Sequence, residues 1–118
     1  MAKEGDSGST NPYRLSNYSI SDLLSLAKAV GAEKVLLEVG YTPVLFVKGK
    51  KIEIDGPDVT SEVMEELVRN VANTRQLRVL RENGSLDIIE AIANSRFLVC
   101  VVDAFGVFRL DLIPLRSS

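Results

Sequence analysis

The chain has 118 residues, a length typical of one domain, and 46% of them are hydrophobic, which is enough to bury a core. Its formal net charge of −2 lacks the basic excess of nucleic-acid-binding proteins, and no apolar run is long enough to cross a membrane. The only cysteine, Cys100, lies in an apolar run, where we expect a buried thiol in a reducing cytoplasm. We therefore expect a cytoplasmic protein that neither binds nucleic acid nor inserts into a membrane.

The first predicted elements are a polar tail, a helix and three short strands. Residues 1–18 are expected to form a disordered or extended tail, and residues 19–116 a single domain. Ser19 is the expected N-cap of the first helix, whose apolar spacing continues to Val30, and Gly31 ends it. Alternating side chains then predict strands over 35–39, 44–48 and 51–55, with a tight turn at Gly49 and Lys50.

Two helices and three longer strands are predicted for the rest of the chain. Thr60 is the expected cap of the second helix, whose apolar stripe ends at Val71, and a shorter helix covers 74–82. Strands are expected over 85–91, 95–104 and 106–115. Residues 97–102 are continuously apolar, which predicts a central strand covered on both faces. This order of elements predicts an α+β fold, in which helices pack on one side of a curved, mostly antiparallel sheet.

The residues offer little catalytic chemistry. The sequence contains neither Gly-x-x-x-x-Gly-Lys-[Ser/Thr] nor Gly-x-Gly-x-x-Gly, the two common phosphate-binding loops. Histidine is absent, so a Cys–His nucleophile is excluded, and no metal-binding spacing is present. Asp87 and Glu90 lie three residues apart on one predicted strand and so point to opposite faces. We expect no catalytic residue, no metal ion and no enzyme activity in this chain.

Five arginines are candidate interface or phosphate-facing residues. Arg75, Arg78 and Arg81 recur every three residues on the short helix, whereas Arg96 and Arg109 are charges in or beside apolar strands. A charge in such a strand must reach solvent or a partner, and a guanidinium can bind a carboxylate or phosphate with two hydrogen bonds. The alternatives are a solvated helix face for the first three and a rim position on an exposed sheet face for the other two.

A series of short matches, in the same order along the chain, resembles one family. Its first part is a helix followed by Gly31-Ala32, Gly40, Pro43 and Gly49, as in a family run of the type G-A-S-D-L-H-L-S-x-G-x-P-P-x-x-R-V-D-G. Later matches are at Val59–Glu62, Glu82–Asp87, Arg96–Val99, Phe108-Arg109 and Ile113-Pro114. Together they resemble the N-terminal domain of the twitching-motility, or type IV pilus retraction, ATPases of the type II/IV secretion ATPase superfamily.

Several positions depart from the family pattern. Phe46 stands where the family has an arginine before the hairpin glycine, and Leu98 and Cys100 replace an arginine and an asparagine. In the family, basic residues of this domain help to engage nucleotide on a neighbouring subunit. Of these, only Arg96 and Arg109 carry over to this chain.

The resemblance implies a PAS-like fold and a role in a bacterial type IV pilus retraction ATPase-like protein. That role would be non-catalytic assembly or regulation, by packing against neighbouring subunits or motor components. The implied partners are further copies of the chain or an adjoining ATPase domain. ATP and Mg²⁺ would belong only to such a domain, and this chain is expected to hold no cofactor. The alternative is a stand-alone PAS-like sensor or adaptor that binds a small molecule or a protein partner.

Overall fold

A computed structural model describes residues 13–92 and 95–115, which form an α+β domain and confirm the predicted fold class. Three helices in this part of the chain, α1 to α3, span Ile20–Val30, Ser61–Val71 and Thr74–Asn83. The strands β1 to β6 span Lys34–Glu38, Val44–Val47, Lys50–Glu53, Ser85–Ile92, Ser95–Ala104 and Val107–Leu115. None of the described helices is long and apolar enough to cross a membrane.

All six strands belong to one antiparallel sheet with the order β3-β2-β1-β6-β5-β4. Each half of the sheet is a meander of three strands that follow one another in the chain. The two meanders meet at the centre, where β1 pairs with β6 and Leu37 lies opposite Leu110. The helices α2 and α3 connect β3 to β4, the strands at the two opposite edges.

The core lies between the helices and one face of the sheet. Because side chains alternate along a strand, every second residue of the long strands points into this layer. None of the buried side chains in the described part of the chain is polar or charged. The largest completely buried side chains are aliphatic or aromatic: Leu23, Leu37, Leu45, Ile54, Met64, Leu67, Leu80, Phe97, Leu110 and Leu112.

The helix ends follow local capping chemistry. As predicted, the Ser19 and Thr60 hydroxyls accept backbone N–H groups three residues on, at 3.0 and 3.1 Å. Gly31 ends α1 in the left-handed conformation with a φ of 72°. The helix α3 begins with a reciprocal capping box between Asn73 and Gln76, which was not among the predicted caps.

Two tight hairpins use two-residue turns. The predicted turn at Gly49 and Lys50 is wrong by one residue: the turn is Lys48-Gly49, with φ values of 51° and 79°, and β3 begins at Lys50. Two consecutive positive φ angles give the turn a twist that matches that of the strands. The hairpin between β5 and β6 turns in the same way at Phe105-Gly106.

The prediction that residues 97–102 are covered on both faces is wrong. Phe97, Val99 and Val101 are buried against the helices, but Cys100 is only half-buried and Val102 is 40% exposed. The three described helices lie on one side of the sheet, so no described element covers the second face of β5. Cys100 consequently lies outside the core that was predicted for it.

Residues 13–18 form a lead-in segment beside the end of β3. The Leu15 N–H donates to the Asp55 carbonyl oxygen at 3.0 Å. Gly56 makes this approach possible, because a Cβ there would overlap the Leu15 carbonyl oxygen and lie 2.6 Å from the Tyr18 hydroxyl oxygen. The rest of the predicted tail, residues 1–12, lies outside the described residues.

Candidate protein-interaction surface

The sheet face opposite the helices is the most distinctive surface of the domain, and we call it the open face. It carries the side chains that alternate with the buried ones on each strand. Most of them are half-buried or exposed rather than buried. The larger apolar members of the open face are Leu36, Val44, Phe46, Ile89, Leu98, Cys100, Val102, Val107, Ile113 and Leu115.

Apolar side chains on the open face are neighbours across strands. Ile89, Leu98 and Ile113 lie directly opposite one another on β4, β5 and β6, and Leu36 lies opposite Val44 on β1 and β2. Ile89 is 57% exposed. Single exposed apolar residues are ordinary, but adjacent ones forming a patch are typical of surfaces where another protein docks.

Charged side chains divide this apolar surface. Asp87, Cys100 and Asp111 lie in one row across β4, β5 and β6. The Asp111 Oδ1 atom is buried and has no hydrogen-bond partner within the described part of the chain. Arg109 Nε lies 3.9 Å from it, which is an ionic contact and too long for a hydrogen bond. Asp111 Oδ1 is therefore a buried acceptor whose charge is opposed by the neighbouring Arg109 guanidinium.

The same row controls the state of the thiol. Burial, followed by the hydrogen bond and charge of Asp87 and the charge of Asp111, raises the pKa of Cys100 to about 11. The thiolate is the reactive form of cysteine, and its population at neutral pH is small at such a pKa. The Cys100 side chain is thus a weak nucleophile that contributes apolar surface to the open face.

Aromatic and basic groups meet on the other half of the open face. Lys34 Nζ and Lys51 Nζ lie 4.7 and 5.9 Å from the centroid of the Phe46 ring. Both distances fall within the range of cation–π attraction. Phe46 occupies the position where the resembled family has an arginine, so the cationic character there comes from neighbouring lysines.

The structure does not bring the five predicted arginines together. Arg75, Arg78 and Arg81 are exposed on α3. Arg109 lies opposite Val102 on the open face, and Arg96 lies opposite Leu115 on the same face at the other end of β5. Six residues of strand separate Arg96 from the Arg109 row, which is roughly 20 Å at about 3.3 Å per residue. All five side chains are exposed. Their roles at an interface or facing a phosphate stay predictions.

Two surface cavities flank the sheet. One, of about 230 Å³, lies at the outer end of β1 to β3 and is lined by Glu38, Glu53 and Asp58. The other, of about 100 Å³, lies between α1 and β5 and is lined by Lys28 and Arg96. No sequence pattern indicated Lys28, because the strand residues that line this cavity with it, such as Ser95 and Phe97, are distant in the chain. No group of three acidic or cysteine side chains among residues 13–92 and 95–115 is placed to hold a metal ion.

Solved structures with this fold include a pilus retraction motor and two further ATPases. The pilus retraction motor PilT with bound ADP superimposes with a TM-score of 0.78 and 24% identity, over 86% of this chain. The ATPase DotB of Legionella pneumophila superimposes with a TM-score of 0.73 and 12% sequence identity over 89% of this chain. The ATPase DotB of Yersinia pseudotuberculosis superimposes with a TM-score of 0.67 and 10% sequence identity over 86% of this chain.

These likenesses establish the fold. The chain spans about a third of the length of the three ATPases, since it covers 30%, 31% and 32% of their chains. No protein-family model matches the sequence, and a search of curated proteins finds no similar one. The predicted resemblance is confirmed in fold, because the part of each ATPase that matches has the architecture expected from the sequence.

Proposed function

We propose that this chain is a non-catalytic assembly domain of a type IV pilus retraction ATPase-like protein and that it works in the cytoplasm. It packs against neighbouring subunits or other motor components. The fold shared with PilT and DotB supports this proposal, as does the absence of a phosphate-binding loop from the sequence. The observation that carries it is the open face, a sheet surface with adjacent apolar side chains that no element among residues 13–92 and 95–115 covers.

The composition of the open face suits reversible docking. Its centre is aliphatic, with Leu98 and Ile113 in contact range across β5 and β6, while charged groups such as Asp87 and Arg109 lie around them. Protein–protein interfaces commonly combine an apolar centre with a polar rim.

A charge introduced in the apolar centre tests the assembly role. Ile113→Lys places an ammonium group beside Leu98 on the open face. A docked partner would have to remove the water around this charge. We expect association to weaken at least roughly tenfold while the melting temperature changes little, because Ile113 faces away from the core. Sedimentation velocity would be measured on the chain alone and mixed with the ATPase domain of a retraction motor from the same organism.

The matched control is Val30→Lys, which introduces the same charge at a half-buried aliphatic position on α1, away from the open face. Association of this variant should equal that of the unmodified chain. The proposal fails if the chain associates with neither itself nor the ATPase domain. It also fails if the two lysine variants lose association equally.

The alternative of a small-molecule sensor has less support. Cavities at the described residues measure about 230, 100 and 40 Å³. Sites for drug-sized ligands usually occupy about 300–1,000 Å³. These surface cavities are too small for a ligand of that class, and the open face favours a protein partner.

A further inference from the structure

Charged side chains are segregated on the open face. Because alternate residues of a strand share a face, the strand register assigns each charge to a position along the strands. At one end of the open face, which we call the basic end, lie Lys34, Lys51 and Arg96. The opposite end, which we call the acidic end, carries Glu38, Glu53, Asp87 and Asp111, together with Arg109.

The separation of charge runs along the strands. Lys34 begins β1 and Glu38 ends it, and Lys51 precedes Glu53 on β3. The strands β1 and β3 run in the same direction, because each pairs antiparallel with β2. Each glutamate is therefore displaced from its lysine in the same sense. Arg109 leaves the acidic end negative, because it is outnumbered by the carboxylates there and its Nε atom lies 3.9 Å from one of them, on Asp111.

The acidic end contains a cavity that suits a basic side chain. It has a volume of about 230 Å³, and its described lining includes no basic residue. Leu36 and Val44, which lie opposite each other on the open face, provide apolar lining. Apolar lining suits the methylene groups of a lysine, and carboxylates suit its ammonium group. The carboxylates are those of Glu38, Glu53 and Asp58. Neither glutamate forms an ion pair with a described residue.

The symmetry of a dimer decides which ends of the open face meet. Two copies that pack face to face around a two-fold axis along the strands place like ends together, and like charges in an interface oppose association. An axis across the strands turns one sheet end for end, so that each basic end lies over an acidic end. It also keeps β3 near β3 of the second copy. Lys51, which is exposed on β3, then lies over the acidic cavity of the second copy.

The open face is large enough for such a dimer. Its six strands, about 4.8 Å apart, and its rows of side chains, about 6.6 Å apart, give a surface of roughly 30 by 25 Å. That is close to the about 800 Å² that each partner contributes to an interface of standard size. Phe46, Leu98 and Ile113 provide apolar surface between the two charged ends.

We propose that the open face binds the open face of a second copy of this chain, turned end for end, with Lys51 of each copy in the acidic cavity of the other. The inference rests on the proposed assembly role, since it names the partner that covers the open face. It adds that the interface is symmetric and that opposite charges select its orientation.

The test is a charge exchange followed by sedimentation equilibrium. The unmodified chain should form a dimer of twice its 12.9 kDa mass. Lys51→Glu and Glu53→Lys should each weaken the dimer by roughly tenfold or more, because each brings like charges together at two symmetry-related places. An equimolar mixture of the two variants should associate about as tightly as the unmodified chain. The mixed dimer has opposite charges at both places.

The matched controls are Lys50→Glu and Glu66→Lys, which reverse exposed charges away from the open face. They should leave the affinity unchanged, alone and mixed. The melting temperature of each variant would confirm that it is folded. A chain that stays monomeric but binds the ATPase domain overturns this inference and leaves the proposed function standing, whereas binding to neither overturns both. A dimer that neither reversal weakens, or that the mixture does not restore, also overturns the inference.

Discussion

At the scale of single residues, Gly56 sets the distance between the lead-in segment and the end of β3. It has no side chain where the Leu15 carbonyl oxygen and the Tyr18 hydroxyl approach. Gly56→Ala should destabilise the domain by about 1–3 kcal/mol through overpacking. The amide hydrogen of Leu15 should also exchange faster, because its bond to Asp55 depends on this approach. Thermal unfolding and hydrogen exchange would measure the two effects.

The control for this substitution is Gly49→Ala, in the β2–β3 turn. A Cβ at Gly49 meets no atom within 4 Å, so only its φ of 79° is unfavourable to alanine. That variant should lose about 1 kcal/mol through backbone strain and leave Leu15 exchange unchanged. Equal effects on Leu15 exchange in both variants would contradict the proposed role of Gly56.

Cys100 is a residue whose chemistry depends on its row of carboxylates. Its pKa of about 11 is above the ordinary value of 9.0, so the folded state favours the neutral thiol. The neutral thiol therefore contributes to the free energy of unfolding below pH 9. This contribution is lost as the pH rises through about 11, where the folded protein also loses the proton. Asp87→Asn removes a negative charge and lowers the pKa, so alkylation of Cys100 at pH 8 to 9 should become faster.

The alkylation rate would be followed with iodoacetamide across a pH series. Glu90→Gln is the matched control, because Glu90 lies on the same strand but opposite Phe97, on the other face. Its rate profile should match that of the unmodified chain. If the alkylation rates of Asp87→Asn also matched those of the unmodified chain, the Asp87 carboxylate would not be what holds the thiol neutral.

At the scale of elements, β5 has one face in the core and one on the open face. Val99 is 0% exposed and Val102 is 40% exposed on the same strand. Val99→Asp should destabilise the domain by about 3–5 kcal/mol, because the carboxylate has no partner in an apolar core. That is a large share of the free energy of unfolding of a typical domain, which is about 5–15 kcal/mol.

The companion variant Val102→Asp places the same carboxylate on the open face. It should change stability by less than about 1 kcal/mol, because water still reaches the side chain. Chemical denaturation would compare the two variants. A small effect of Val99→Asp, or equal effects of both, would show that β5 is not divided between a core face and an open face.

The elements themselves could be predicted because their signals are local. Ser19, Thr60 and Gly31 cap helices through bonds to residues only a few positions away. The alternation of apolar and polar side chains that marks a strand can be read from consecutive residues. The coverage of the second face of β5 could not be predicted, since an apolar run does not show whether a helix lies over it. The cavity between α1 and β5 was missed for a related reason: Lys28 and Ser95 meet only in the folded chain.

At the scale of the whole molecule, one sequence feature bears on nucleotide chemistry. The sequence contains neither of the two common phosphate-binding loops, Gly-x-x-x-x-Gly-Lys-[Ser/Thr] and Gly-x-Gly-x-x-Gly. We expect no ATP hydrolysis above background and no micromolar affinity for ATP in the 118-residue chain. Calorimetry and a phosphate-release assay would measure both, and turnover that survives repurification would contradict the expectation.

The central pairing of β1 with β6 has a consequence for the dynamics of the domain. It joins residues that are far apart in the chain, such as Val35 and Leu112, so these strands separate only when the two meanders part. Their amide hydrogens should exchange at the rate of global unfolding. Those of β3, a four-residue edge strand, should exchange faster through local opening. Hydrogen exchange at Leu37 and Leu110 would therefore report the stability of the whole domain. If these two amides lost protection before those of the other strands, the two meanders would separate before either one unfolds.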